Sequence, residues 1–227
     1  MRMYEKSDIM KNMTAIFQFI IRLDRSMFHF LNSIAGRNSW LDWLIRVGSD
    51  DHIVMIVLTL LTLATLLIAK NHQGREVAFR SIICALMAAI ASMIILFALN
   101  NLFFRPRPFT TQTVHMLFYH NTDSAFPSNA ATLAFALAFG VFAHWRKPGA
   151  VMLAMAAYIG FARITSGIHY PLDIVGGLLL GLGSVLAVKA AEPIYAPTAR
   201  WLNSGADRLL ASWKTPARVE RERSVDV

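Results

Sequence analysis

The sequence predicts an all-α protein, a polytopic membrane helix bundle of about five transmembrane helices with an N-terminal interfacial amphipathic helix. Three observations lead there. Of 227 residues, 56% are hydrophobic and only 16% charged, whereas soluble domains carry about a quarter charged; mean hydropathy is +0.46. Long apolar runs recur, the first of them uncharged over residues 53–69. Polar clusters containing Pro or Gly stand at the ends of those runs, where a polar residue needs a reason to be.

The elements follow in order. Residues 13–35 are apolar, but Arg22, Asp24 and Arg25 sit in their middle, and each charge at a helix centre costs about 2.5–3.5 kcal/mol to insert. Phe17, Ile20, Ile21, Leu23, Phe28, Leu31 and Ile34 can share one broad face, so this stretch reads as a helix lying in the interface. If it crosses instead, the count becomes six spans and the N-terminus moves inside. A second amphipathic stretch carries Trp40 and Trp43 and leads into Ser49-Asp50-Asp51. The first span, 53–69, is closed by Lys70; the second, 77–104, starts with Arg80 placed to snorkel. A loop over 105–127, punctuated by Pro106, Pro108 and Pro127, precedes a third helix over 128–145. The basic turn at His144-Trp145-Arg146-Lys147-Pro148-Gly149 leads to helices over 150–165 and 172–190. The remainder has amphipathic character around Trp201 and Trp213 and frays after Pro216. With no long linker or repeat, we read three segments: 1–52 interfacial, 53–190 membrane-embedded, and 191–227 a cytoplasmic tail.

The net charge of +8 fits Lys and Arg in cytoplasmic segments and does not call for nucleic acid. Lys70, Arg75, Arg80, Arg146, Lys147 and Lys189 then lie inside, and the polar clusters face away from the cytoplasm. Cys84 is the single cysteine, so no intramolecular disulfide forms, and it reads as a small core residue. The N-terminus lacks the pattern of a cleavable signal, leaving the first span as insertion signal.

The clusters define a chemistry. Arg105, Arg107 and Arg163 bring guanidinium groups to one surface, and their planar forks suit phosphate oxygens. Arg105 could equally anchor a lipid headgroup, whereas Arg107 has its backbone set by Pro106 and Pro108. Arg163 ends an apolar helix and needs an intramembrane partner or a ligand. Ser128, after Pro127, is an N-cap candidate; with Asn129 it could also cradle an anion at a helix N-terminus. His169 and Asp173 lie four apart across Tyr-Pro-Leu, so the carboxylate can fix the imidazole tautomer and leave the other nitrogen as nucleophile or base. Metal ligation is disfavoured, since no second His or carboxylate stands at ligand spacing. His115 and His120 are surface loop residues or substrate contacts.

In order, these residues resemble the type 2 phosphatidic acid phosphatases. That family's pattern is Lys, six residues, Arg-Pro; then Pro-Ser-Gly-His; then Ser-Arg, five residues, His, three residues, Asp. Here the pattern falls on Asn100 through Arg107-Pro108, on Pro127-Ser128-Asn129-Ala130, and on Ala162-Arg163 through His169 to Asp173. The resemblance covers about residues 53–190. The loop from Arg107 through His115, His120 and Asp123 to Ser128 looks most like the bacterial bacitracin-resistance branch, which dephosphorylates undecaprenyl pyrophosphate. It implies that His169 attacks phosphorus and forms a phosphohistidine, with Asp173 orienting it. Arg107, Arg163, Ser128 and Asn129 would hold phosphate, with no metal or other cofactor. It further implies a polyprenyl pyrophosphate substrate among membrane lipids, a multi-pass protein of the bacterial inner membrane whose active site faces the extracytoplasmic side, and a role in recycling the cell-wall lipid carrier. Phosphatidate or phosphatidylglycerol phosphate are alternative substrates; a non-catalytic lipid-phosphate binder and a small transporter are other classes. Two positions depart from the pattern. Asn100 replaces the Lys, for which Arg105 could compensate, and Ala130 replaces the His that protonates the leaving group. Loss of a general acid typically lowers rate about 10²–10⁴-fold. We therefore read the chain as an impaired His-to-Ala form, engineered rather than native.

Overall fold

The structure, a computed structural model, describes residues 2–119 and 122–214, with side chains for 10, 12–119 and 122–212. Among these residues every regular element is a helix, as the composition predicts. Four are long and apolar enough to cross a membrane: α3 (Asp51–Ile68), α4 (His72–Leu102), α7 (Arg146–Thr165) and α8 (Pro171–Ala190). Their starts are written locally. The Asp50 carboxylate accepts the N–H groups of His52 and Ile53 to open α3, the Asn71 side chain caps α4 through Gly74, and Pro171 occupies the first turn of α8.

The third predicted apolar helix is α6 (Asn129–Phe142), shorter than expected because residues 143–145 are already turning. It lies at the centre, packed by α3, α4, α7 and α8, and nearly every side is buried. Ala, Gly and Thr let backbones approach there in place of interlocking bulk. Gly140 faces the Ala85 backbone of α4, and Gly177 and Gly181 of α8 face the backbone of α6.

The two terminal helices add contacts that the sequence reading did not include. α1 (Arg2–Asn32) meets the bundle through polar as well as apolar side chains. Phe17, Ile20 and Leu23 are exposed, while the buried stripe is Asp24, Phe28 and Asn32, residues that share a face at intervals of four. The bundle offers the Arg105 guanidinium, the Leu172 and His115 N–H groups and the His115 and Thr165 carbonyls there, so polar side chains win the contact. After α2 (Ser39–Ser49) the chain enters the bundle. At the far end, α9 (Glu192–Lys214) packs along α4. Asn203 donates to the His72 carbonyl at 3.0 Å, Asp207 pairs with Arg75, and Glu192 pairs with Arg80 and Lys189.

Candidate active site

All three motif clusters meet at one end of the bundle, opposite Lys70, Arg80, Arg146 and Lys189. The end of α7 sets the first part. Gly167 adopts φ +88; its N–H reaches the Ile164 carbonyl and the Ile168 N–H reaches that of Arg163. This is a Schellman stop, which glycine permits without a Cβ penalty. The chain doubles back and lays His169 over the Arg163 it has just left. Two residues on, Pro171 starts α8, and Asp173 Oδ2 accepts the Tyr170 N–H at 2.7 Å, one half of a capping box. Asp173 therefore caps its own helix and faces His169 at the same time.

The second part is the loop between α4 and α6. Arg107 stands immediately before the one-turn helix α5 (Pro108–Thr111). The Ala125 N–H donates to the Arg105 carbonyl at 2.9 Å, and Ser128 N–H donates to the Asp173 carbonyl at 3.1 Å. The first bond closes the loop on itself, and the second pins the start of α6 to the start of α8.

The two guanidiniums converge on one atom. His169 Nε2 lies 3.2 Å from Arg107 NH1 and 3.2 Å from Arg163 NH2. Both neighbours are donors only, so Nε2 presents its lone pair and the ring proton resides on Nδ1. Nδ1 is 3.5 Å from Asp173 Oδ2, too long for a ground-state hydrogen bond, because Tyr170 and Arg105 already occupy that carboxylate. The ring is fully buried. Burial, then the Arg163 and Arg107 charges, hold its pKa well below the usual histidine value, so the imidazole is neutral.

Each arginine has a carboxylate partner absent from the motif pattern. Arg107 donates to Asp123 Oδ1 at 2.7 Å, and Asn129 Nδ2 donates to Asp123 Oδ2 at 3.1 Å. Arg163 donates to Asp51 Oδ1 at 2.5 Å and to the Ser49 carbonyl at 3.0 Å, and Tyr119 holds the other Asp51 oxygen. Arg105 does not join Arg107 and Arg163 at His169 Nε2 as the compensating cation expected for Asn100. It turns to the far side of Asp173, donating to Asp173 Oδ1 at 2.5 Å and to Asp24. Two acidic groups there outbid an exposed headgroup position.

The other expected residues are spread more widely. Ser128 is the residue before α6 but makes no side-chain cap bond; its Oγ and the Asn129 Oδ1 are buried without partners. Ala130 is buried on the first turn of α6, next to Asn129. Asn100 stands on the last turn of α4 and no hydrogen bond joins it to this cluster among the described residues. The His115 side chain is exposed; its backbone is held by Asn32. His120 lies outside the described residues. No group of three or more metal-ligating side chains occurs among the described residues. Sequence reasoning missed Asp24, Asp51 and Asp123; the available signal was that a carboxylate beside an apolar run demands a buried partner.

Comparison with known proteins bears on this arrangement. The family described as the PAP2 superfamily matches residues 81–193. Undecaprenyl-diphosphatase BcrC of Bacillus subtilis (strain 168) is 30% identical over 160 residues, 70% of this chain and 79% of that protein. The bacitracin transport permease protein BcrC of Bacillus licheniformis is 30% identical over 172 residues, 75% and 81% of the respective chains. Among solved structures, Aquifex aeolicus LpxE superposes with a TM-score of 0.54 at 25% identity, over 73% of this chain and 93% of that one.

Proposed function

The chain belongs to the PAP2 superfamily and is a multi-pass membrane phosphatase; from that premise we propose that it converts undecaprenyl diphosphate to undecaprenyl phosphate and inorganic phosphate through a phosphohistidine at His169. The observation that carries the reading is a buried, neutral imidazole whose lone pair points between two guanidiniums. A terminal phosphoryl group entering there takes N–H donors from Arg107 and Arg163 while Nε2 approaches phosphorus in line. The Nε2–P bond forms, the bond to the bridging oxygen breaks, and its electron pair leaves on the lipid phosphate. Nδ1 keeps its proton, and Asp173 faces the positive charge that develops on the ring. Water then cleaves the N–P bond, releasing phosphate and the neutral imidazole. Positioned charge is the main demand of such a transition state, and the unpartnered Ser128 Oγ and Arg163 Nε can turn to the phosphoryl oxygens.

Ala130 supports the choice of a diphosphate. Its methyl group cannot protonate a leaving group. A lipid phosphate, with a second pKa of about 6, departs as an anion, whereas an alkoxide needs the missing acid. On this reading the chain is an impaired His-to-Ala form that retains more activity on anhydrides than on phosphatidate or phosphatidylglycerol phosphate. We further propose a bacterial inner-membrane location with the site on the extracytoplasmic side, because Lys70, Arg80, Arg146, Lys147 and Lys189 lie at the opposite end of the spans, and a role in recycling the lipid carrier of wall synthesis. The uninterrupted α3, α4, α7 and α8 favour hydrolysis over transport, for which broken helices at mid-bilayer are expected.

Ala130 also favours a second reading, a binder of lipid phosphates without turnover. Phosphate release from undecaprenyl diphosphate, phosphatidate and phosphatidylglycerol phosphate separates the two, measured for the chain as it stands, for Ala130→His and for His169→Ala. Diphosphate release lost in His169→Ala is expected. Release unchanged in His169→Ala refutes the phosphohistidine, and binding without release in both other forms establishes the binder.

A further inference from the structure

We propose that Asp24, on the N-terminal helix, is a positioning residue for phosphoryl transfer: it holds and offsets Arg105 so that Asp173 still presents negative charge to His169. This deepens the phosphatase reading and rests on it. Asp24 lies outside the residues that match the family and arrives on an element the motif pattern does not include.

The geometry is a chain of contacts running from α1 to the nucleophile. Asp24 Oδ2 accepts from Arg105 NH2, and Asp24 Oδ1 accepts the Leu172 N–H at 2.8 Å. Arg105 NH1 donates to Asp173 Oδ1 at 2.5 Å, and Asp173 Oδ2 faces His169 Nδ1 at 3.5 Å. The Asp24 and Asp173 side chains are 1% and 0% exposed, so water screens neither. Arg105 also lies over the Tyr170 ring, 4.6 Å from its centroid, and Phe28 packs that ring from α1 at 5.2 Å. One helical turn past Phe28, Asn32 donates to the carbonyls of His115 and Thr165 at 2.8 Å each and accepts the His115 N–H at 2.9 Å. The buried stripe of α1 thus grips the His169 turn at two points.

The charges explain why the contact matters. A carboxylate behind a nucleophilic imidazole works by stabilising the positive ring that forms when Nε2 takes the phosphoryl group. Arg105 alone on Asp173 would cancel that carboxylate. With Asp24 added, and all three groups ionised, the side chains sum to one negative charge directed at Nδ1, opposite the two positive guanidiniums at Nε2. The benefit appears only as the ring becomes cationic, so it falls on kcat rather than on substrate binding.

The test uses the full-length protein in detergent with undecaprenyl diphosphate, both as it stands and with Ala130→His. Asp24→Asn is expected to lower kcat about tenfold with KM within twofold, at the low end of the roughly 10–100-fold effects of hydrogen-bond partners behind metal-bound histidines. Asp24→Glu is expected to restore part of the loss, since charge and not shape is required. In an Arg105→Met background, Asp24→Asn is expected to produce no further fall in kcat, because nothing remains to be offset. Thermal unfolding accompanies each variant. A folded Asp24→Asn with kcat within twofold of its parent, or with the loss confined to KM, overturns the inference. Should Asp24→Asn not fold, Arg105→Lys takes its place: it keeps the positive charge but loses the fork that reaches both carboxylates, and an unchanged kcat overturns the inference equally. His169→Ala is run alongside. Release that survives it removes the phosphatase mechanism itself, whereas release lost in His169→Ala but retained in Asp24→Asn removes only the role of Asp24. No release in either background overturns both.

Discussion

Replacing Gly177 by Ala changes no group that touches phosphate, yet it should slow the enzyme. Gly177 sits one turn after Asp173 on the face of α8 that meets α6. A Cβ there would fall 2.9 Å from the Thr132 nitrogen, 3.0 Å from Ala131 Cβ and 3.1 Å from the Ser128 carbonyl oxygen. Comfortable contact begins at about 3.5 Å, so the two helices must part by about half an ångström. None of the three atoms can rotate away, since two are backbone and the third is a bare methyl. The Ser128 N–H bond to the Asp173 carbonyl, 3.1 Å long, spans the same seam. Parting it carries Ser128 and Asn129 away from His169 and Asp173.

A misplacement of about 1 Å in a reacting geometry can lower rate about 10²-fold, so half of that predicts roughly tenfold. Overpacking costs about 1–3 kcal/mol, partly offset by the roughly 1 kcal/mol better helix propensity of Ala. Steady-state phosphate release and thermal unfolding in detergent measure both. Gly183→Ala on the same helix is the control, because nothing lies within 4 Å of the added Cβ; it should leave kcat unchanged and stabilise by about 0.4–1 kcal/mol. If folded Gly177→Ala matches Gly183→Ala in kcat within twofold, the α6–α8 seam does not set the reacting distance.

Other outcomes follow from the same geometry. Ala130→His should raise release from lipid monophosphates by about 10²–10⁴-fold and from the diphosphate by clearly less; equal gains on both would refute the leaving-group account. The depressed pKa of His169 means that the unfolded chain binds a proton there before the folded one does. Its contribution to stability is therefore complete above about pH 6.5 and is lost as pH falls through the lower folded value. His169→Gln should flatten that slope in thermal melts taken from pH 7.5 to 4.5, and an unchanged slope would count against a neutral buried ring. Asn32→Ala strands two carbonyls and one N–H of buried or half-buried backbone; about 2–4 kcal/mol of destabilisation is expected, and a loss below 1 kcal/mol by denaturant titration would show that α1 is not fastened there.

Much of the bundle was readable because its signals are local. A lone charge-free run declares α3, Pro171 and Asp173 declare the start of α8, and the Ser166-Gly167 turn needs only glycine at positive φ. His169 and Arg163 are six residues apart and share one turn, so their meeting also follows from nearby sequence. The carboxylates were hidden for the opposite reason. Arg163 meets Asp51 across 112 positions and Arg105 meets Asp24 across 81, and no periodicity encodes such pairings. Yet electrostatics requires them. Three guanidiniums gathered in a poorly screened pocket repel one another strongly when no anion is bound. Asp123 and Asp51 supply that anion to Arg107 and Arg163 in the resting site, and Asp24 with Asp173 does so for Arg105. The first two partners are 41% and 25% exposed and can yield to phosphate oxygens, whereas the Asp24 and Asp173 side chains are essentially inaccessible. Exposure therefore sorts four similar-looking aspartates into two that substrate can displace and two that it cannot. Under the proposed mechanism, that sorting assigns Arg107 and Arg163 to the phosphoryl group and Arg105 to the carboxylate behind His169.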